Sequence, residues 1–465
     1  MSPPSDSLVR RLRRRRRPTP EKPLRDELLS IERLEERAKA LAARLTIDPT
    51  PGRNARDLFP RLADNERVLR EAYLALAEGV HRGEFVTSAA EWLLDNYHLV
   101  ASEIRDVRQN LPRGYYRELP KLATRQLAGD ARVYATAVEL IRHSDSRLDR
   151  QLLLRFMNSY QTVAPLTIGE LWAWPSMLKL ALIENLRRLV EEAGLAREAR
   201  RAADAYVARI DAGGHGQPPA LPPEIHPAFV VQLLQLAREY GPRLAAVRAA
   251  VDAHLAAQRT ASEEAIRGEH RRQAAAQVSV ANVITSLRLV STLDWSQYFE
   301  SASLVEGVLQ RDPAGVYGRM DFLSRDRYRQ AVEELADGTG EGQLRVALRT
   351  VESARQAAES GAVGLAVHVG HHLIGKGRAD LETDVAYRPG LRRRARRFVF
   401  AHATAAYLGA IGLLTALLLG LGFVYAQRHA DSPWPLAWVA LLLLLPASEV
   451  ATAVVQSLCA RFAAP

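Results

Sequence analysis

The sequence predicts an all-α protein, a two-lobed cytoplasmic helical region followed by a two-helix transmembrane hairpin. Three observations predict it. Apolar residues recur at spacings of three and four from Leu24 to about residue 385, which is the period of an amphipathic helix. Runs of β-branched residues are short and show neither alternation nor hairpin turns, so strand signals are almost absent. Charge is sharply segregated: nearly everything before Arg397 is charged and amphipathic, and nearly everything after it is apolar.

The basic balance narrows the partners. Net charge is +10 with a pI near 9.8, but much of the excess sits at Arg10–Arg17 and Arg388–Arg397 rather than on one continuous face. No basic helix face is interleaved with aromatics, so no nucleic-acid partner is expected. The single cysteine, Cys459, lies in the last apolar stretch, which excludes an intrachain disulfide or a multi-cysteine metal site and fits a reducing compartment. Ser, Pro and Arg open the chain with no apolar core behind them, unlike a secretory signal.

Residues 1–23 read as a disordered basic tail able to touch anionic lipid. The first helical lobe, 24–211, begins with a helix over Glu27–Leu45 that ends at Asp48–Gly52. A second helix covers about 65–79. Ser88 and Glu91 have capping-box spacing and open a helix carrying Trp92, Leu94, Tyr97, Ile104 and Val107 until Pro112 stops it. Helices at 131–143, 147–162, 166–195 and 197–211 complete the lobe. Residues 212–227 form a Pro/Gly linker. The second lobe, 228–397, has helices at 228–258, 260–291, 296–309, 322–336 and 342–376, structured turns at Leu293–Phe299 and Arg311–Met320, and a basic juxtamembrane end. No 20–50-residue period recurs, so the chain is not a solenoid.

Residues 398–465 form the hairpin. Phe398–Ala426 contains 29 residues without a formal charge, and a helix needs roughly 20 to cross a bilayer core. After the turn Gln427–Ser432, the span Pro433–Ala460 returns. Six arginines between Arg388 and Arg397 precede the first span, whereas the turn holds only Arg428. The positive-inside rule therefore puts the N-terminal region in the cytoplasm and residues 427–432 outside. Glu449 lies within the second span, where an ionisable group marks a buried partner or a pathway; a kink at Pro446 that lets it reach the interface is the alternative.

Signals for chemistry are sparse. Gly338-Thr339-Gly340-Glu341-Gly342 follows no strand and fits no nucleotide-binding spacing, so it reads as a helix connector. His368, His371 and His372 form H-x-x-H-H, and a continuous helix would put His368 and His372 on one face, as a metal site needs. No carboxylate or cysteine stands at a useful spacing, so they read as polar groups near the membrane surface. Glu91, Asp95, His98, Glu103 and Asp106 read as a solvated helix face paired with arginines such as Arg105. The segment Arg113, Tyr115, Tyr116, Arg117 could stack on a sugar or base, but nothing requires it. Trp172, Trp174 and Pro175, and Asp312-Pro313 followed by Tyr317, Asp321 and Asp326, read as specific packing joints.

Six stretches resemble one family. They are EWLLDNYHLV (Glu91–Val100), LPRGYYRELPKL (Leu111–Leu122), RVYATAVELIRHSD (Arg132–Asp145), APLTIGELWAWPSMLKLALIENLRRL (Ala164–Leu189), Asn282–Arg329 and LPASEVA (Leu445–Ala451). In these the chain resembles the N-terminal portion of the bacterial cyclic β-1,2-glucan synthases, large inner-membrane glycosyltransferases. The resemblance implies a bacterial inner-membrane location and the lipid bilayer as a partner. It also implies a glycosyltransferase domain, in cis after residue 465 or as a separate chain, using UDP-glucose and a divalent metal. The turn at 427–432 would then be periplasmic. No acidic pair in a nucleotide-sugar fold and no Q-x-x-R-W motif occurs in the sequence, so no catalytic, cofactor-binding or metal residue of the family carries over, and no cofactor is expected in this chain. Arg117, Trp172, Trp174, Asp294, Trp295, Asp312, Tyr317 and Asp321 are expected to serve interdomain contacts. The alternative is a freestanding membrane-tethered helical adaptor that binds a protein partner.

Overall fold

The computed structural model describes residues 21–49, 56–83, 86–123, 127–212, 221, 225–428 and 434–462. The basic tail up to residue 20, most of the predicted linker and most of the hairpin turn lie outside the described residues. Among the described residues the chain is helical and has no named strand, only isolated antiparallel bridges at Ile47–Leu122 and Lys121–Ala131. It divides into two compact units, Met1–Glu333 with Gly342–Leu381, and Glu334–Glu341 with Glu382–Pro465.

The first unit opens with α1 (Ile31–Arg44), α2 (Leu58–His81), α3 (Ser88–Asn110), α4 (Arg113–Glu118), α5 (Arg132–Ser144), α6 (Arg150–Gln161) and α7 (Ile168–Ala212); α2, α3 and α5 pack on α7, and α1 packs on α6. Helix α7 spans 45 residues, about 68 Å at the standard rise, and merges the two helices expected at 166–195 and 197–211. Only Gly194 interrupts the pattern there, and a single glycine weakens a helix by about 1 kcal/mol without stopping it. After residues 213–226 come α8 (Pro227–Tyr240), α9 (Ala245–Ala257) and α10 (Ser262–Thr292). Helices α8 and α10 also pack on α7, and α10 packs on α3. Helices from before and after 212–227 thus share one compact unit.

Several boundaries differ from the periodicity, each for a local reason. The expected helix 228–258 breaks at Gly241, whose positive φ and following Pro242 give a 3-10 turn. The expected helix 296–309 is α11 (Trp295–Ala302) and α12 (Leu304–Leu309), because the Ser303 hydroxyl accepts the Glu306 N–H and starts a new helix. Most of the expected turn at Leu293–Phe299 is therefore helix, capped by Asp294 through the Gln297 N–H at 3.1 Å. Helix α3 does not start with a capping box; its N-cap is Thr87, with no side-chain capping bond. After α13 (Phe322–Thr339), the expected helix 342–376 shortens to α14 (Gln343–Glu359). Gly361 and Gly364, both at positive φ, end it and lead through a 3-10 turn to α15 (Val369–Leu373).

Charged groups on α7 set how it packs. Glu170 is fully buried and forms a two-pronged pair with Arg132 of α5, at 2.8 and 2.5 Å. Lys179 reaches Glu103 and Asp106 of α3, each at 2.6 Å; these two carboxylates are thus packed against α7 rather than forming the solvated face expected. Glu184 takes Arg61 of α2 at 2.5 Å, the Tyr134 hydroxyl of α5 at 2.7 Å and Arg188 at 2.5 Å. Burial would raise its carboxyl pKa, but Arg61, Tyr134 and Arg188 outweigh burial and hold it below the ordinary 4.5. The turn after α5 adds a further polar joint. Asp145 and Ser146, both at positive φ, receive the Ser279 and Ser286 hydroxyls of α10 at 2.6 Å each, and Asn185 of α7 donates to Ser146 at 2.9 Å.

The second unit includes the end of α13, the end of α16 (Arg378–Asp384), α17 (Leu391–Ala401), α18 (Ala403–Gln427) and α19 (Trp434–Phe462). Tyr387 lies flat against Gly338, where any side chain would collide with its ring, and the Arg388 N–H donates to the Gly338 carbonyl at 3.1 Å. The Gly338–Gly342 segment is accordingly a connector with a packing role. Arg397 forks onto Glu382 at 2.6 and 2.8 Å. The chain breaks at His402, so Phe398–Ala401 belong to α17 and not to the first apolar span.

Removing one partner of a buried ion pair leaves an uncompensated charge, at a cost of about 3–5 kcal/mol, whereas replacing both is often neutral. Arg132→Met is therefore expected to lower the unfolding free energy by about 3–5 kcal/mol, and Arg132→Met with Glu170→Met to recover most of it. Urea titration followed by tryptophan fluorescence measures both; equal losses in the single and double variants would contradict the assignment.

Candidate functional site

Three of the residues that sequence patterning singled out as joints, Trp172, Asp312 and Tyr317, belong to one joint at the N-terminal end of α7. Trp172 stacks on Phe299 of α11, with ring centroids 4.7 Å apart, and meets Phe322 edge-on at 6.0 Å. The Arg329 guanidinium lies over the same two rings, 5.1 Å from Phe299 and 4.6 Å from Phe322, so a cation is packed between aromatic faces. It donates to Glu306 of α12 at 2.9 Å, and both residues are 0% exposed. Glu306 also receives the Tyr317 hydroxyl at 2.7 Å and Arg325 at 2.8 Å. Burial would raise the Glu306 carboxyl; the bonds from Tyr317, Arg329 and Gln310 together with the Arg329 charge hold it below 4.5. Burial and then Glu306 push the Tyr317 phenol far above its usual value.

One step further, Asp312 ties together two backbone segments of the joint. Its carboxylate accepts the N–H groups of Val316 and Tyr317 at 3.0 and 3.1 Å and of Val369 at 3.0 Å, and it takes His368 Nδ1 at 2.8 Å. Burial opposes ionisation, yet the two backbone N–H groups and His368 hold its pKa below 3.8. His368 Nε2 faces the Tyr328 hydroxyl at 3.2 Å, so both of its ring nitrogens are occupied. His368 precedes α15 rather than lying within a long helix, so it does not share a helical face with His372, whose Nε2 takes the Ala366 carbonyl at 3.0 Å. Among the described residues no group of three or more His, Cys, Asp or Glu could hold a metal ion.

The eight expected contact residues separate. Trp172, Asp312 and Tyr317 belong to this joint. Trp174 is fully buried in the core of the first unit. Asp294 and Asp321 are exposed helix starters, Asp321 accepting from Ser324 through its N–H at 2.9 Å and its hydroxyl at 2.6 Å. Trp295, half-buried, donates its indole N–H to the Val290 carbonyl at 2.8 Å. Arg117 is exposed on α4, whose neighbouring Tyr115 hydroxyl donates to the Gly169 carbonyl at 2.5 Å. Sequence patterning missed Arg329, Glu306 and Phe299, although all three lie within the motif Asn282–Arg329; a lone arginine on an amphipathic helix carries no signal of burial. It also missed an open cleft of ≈1170 Å³ lined by α2, α3, α7 and α10. Arginines and carboxylates pair in it, Arg200 of α7 with Glu269 of α10 at 3.4 Å and Arg187 with Glu191 within α7 at 2.9 Å, and no Phe, Tyr or Trp is among its described lining residues.

The hairpin has the opposite character. Two helical windows, Ala403–Tyr425 and Leu441–Ala460, are long and apolar enough to cross a membrane, with mean hydropathies of 2.1 and 1.7. Only 6% and 17% of them are buried. Core helices of a soluble protein would be mostly covered, so the exposure fits a membrane location. Helix α19 turns Ala447, Ala451 and Val455 inward, and Gly422 of α18 lies against Leu443, where a side chain would clash. Glu449, three residues after Pro446, is exposed on α19.

The chain is 33% identical over 456 residues, 95% of its length, to the cyclic beta-(1,2)-glucan synthase NdvB of Rhizobium meliloti (strain 1021). In sequence it is similar to one segment of a cyclic β-(1,2)-glucan synthase. It spans 16% of the length of that relative. No protein-family model matches the chain.

Carboxylates with depressed folded-state pKa values bind more protons once unfolded, so their contribution is present above the unfolded value and is lost as pH falls through the folded one. With Glu184, Glu306 and Asp312 all held low, the melting temperature is expected to stay level above about pH 5 and to fall progressively below about pH 4. Thermal unfolding across pH 3–7 checks this; a melting temperature that rises on acidification would contradict it.

Proposed function

We propose that this chain is the N-terminal, membrane-anchoring module of a cyclic β-1,2-glucan synthase. The observation that carries the reading is the similarity over 95% of the chain, hairpin included, to a single segment of NdvB. Its task is positional. A helical body tied together by buried ion pairs is rigid enough to hold a catalytic domain beside the bilayer, and the hairpin fixes that body to the membrane. UDP-glucose-dependent glucosyl transfer, with its divalent metal, belongs to a catalytic domain in cis or on a separate chain. The buried carboxylates Glu170, Glu103 and Glu306 are each paired with an arginine, lysine or tyrosine, which fits a structural use of these three groups.

The location proposed is the bacterial inner membrane, with the helical body cytoplasmic and the hairpin turn periplasmic. Orientation rests on the arginines between Arg388 and Arg397 set against the lone Arg428. Glu449 then lies inside the membrane facing away from α18, as a polar contact for further membrane-spanning helices.

Two measurements test this. With Cys459 replaced by serine, a cysteine at Arg428 is expected to react with a membrane-impermeant maleimide in intact spheroplasts, and one at Arg117 only after lysis; the reverse pattern would invert the topology. Purified chain is expected to transfer no glucose from UDP-glucose; measurable glucan synthesis by it alone would refute the modular assignment.

A further inference from the structure

The loop between α14 and α15 carries an apolar tip with no cover. Val363 is 88% and Leu365 78% exposed, and Ile374 just beyond α15 is 52% exposed. Exposed single apolar residues are ordinary, but three along one short segment, two almost wholly in solvent, call for a partner. The segment Ser360–Lys376 contains no aspartate or glutamate, and its one formal charge is Lys376, which is exposed.

The exposure is built in. Gly361 and Gly364 at positive φ shape the loop, the Ala362 N–H returns to the Ala357 carbonyl at 3.0 Å, and the His368 N–H returns to the Leu365 carbonyl at 3.1 Å. Behind the tip, His368 is clamped between Asp312 and Tyr328, and His372 holds the Ala366 carbonyl. Gly370 gives the Tyr328 hydroxyl room, and Gly377 does the same for the His371 and His372 rings. The histidine motif thus frames a fixed platform that presents Val363 and Leu365 outward.

We propose that this loop is a second membrane contact, in which Val363, Leu365 and Ile374 enter the interface of an anionic leaflet and Lys376 meets lipid phosphate. A convex tip of aliphatic side chains without aromatics suits a fluid interface; protein interfaces favour aromatic anchors seated in pockets. The absence of carboxylates from Ser360 to Lys376 leaves exposed Lys376 as the segment's one charge, with Glu359 before it and Arg378 and Asp380 after it, so the contact itself carries a positive charge toward lipid phosphate. The same chain supplies the membrane, since the first apolar span begins at Ala403. The proposal rests on the reading of α18 and α19 as membrane spans.

The test uses the full chain in nanodiscs of phosphatidylcholine and phosphatidylglycerol, with an NBD fluorophore on a single cysteine and 5-doxyl lipid as quencher. Native Cys459, exposed on α19, reports insertion of the hairpin. In a Cys459→Ser background, Val363→Cys and Leu365→Cys are expected to lose fluorescence on addition of quencher lipid. Leu348→Cys, an exposed apolar position on α14, is expected to lose none. Quenching at Cys459 with none at 363 and 365 overturns the loop contact and leaves the spans standing. Quenching at 348 equal to that at 365 overturns it as well, because the label alone would then explain the signal. No quenching at Cys459 overturns the spans and the loop contact together.

Discussion

A charge buried on a helix must find a counter-charge, and on α7 this constraint fixes where the neighbouring helices sit. Glu170, Lys179 and Glu184 point to different neighbours: Arg132 of α5, the Glu103–Asp106 pair of α3, and Arg61 of α2 with Tyr134 of α5. Apolar packing alone tolerates sliding, because one leucine fits a groove about as well as the next. An ion pair does not, since a shift of one turn would strand both charges in an apolar interior. The rest of the first unit is arranged around these fixed points. Trp172 at the start of α7 carries the same logic into α11, α12 and α13 through Phe299, Phe322, Arg329 and Glu306.

The hairpin obeys a different rule. Its helices bring together small residues, Gly422 against Leu443 on one side and Ala447, Ala451 and Val455 on the other, while Leu413, Leu417 and Leu421 face outward. Close approach through small residues is how helices associate where lipid removes the hydrophobic drive between them. The chain thus joins a polar-keyed body to an apolar hairpin with outward-exposed leucines, and the similarity to a segment of NdvB extends over 95% of it.

Much of this was legible in the sequence, and the failures have physical causes. The all-helical class and both apolar spans followed from period and length. Trp172, Asp312 and Tyr317 stood out as joint residues because tryptophan and tyrosine in unusual clusters signal packing. What was not legible was pairing at a distance. Lys179 and Glu103 look like ordinary charges on amphipathic helices, and only the fold shows that they meet; Arg329 is equally ordinary until Phe299 and Phe322 enclose it. Helix ends failed for local reasons, as at Ser303, which restarts a helix, and at Gly361 and Gly364, which stop one. Those two glycines also separated His368 from the helical face it was expected to share with His372.

The claim that α7 is the spine can be measured directly by hydrogen–deuterium exchange on the full chain in nanodiscs. The account predicts that amides of Leu171–Leu189 exchange most slowly in the first unit, well behind those of α8 and α9, because every opening of α7 must break several buried ion pairs at once. Exchange in Leu171–Leu189 as fast as in α9 would contradict it.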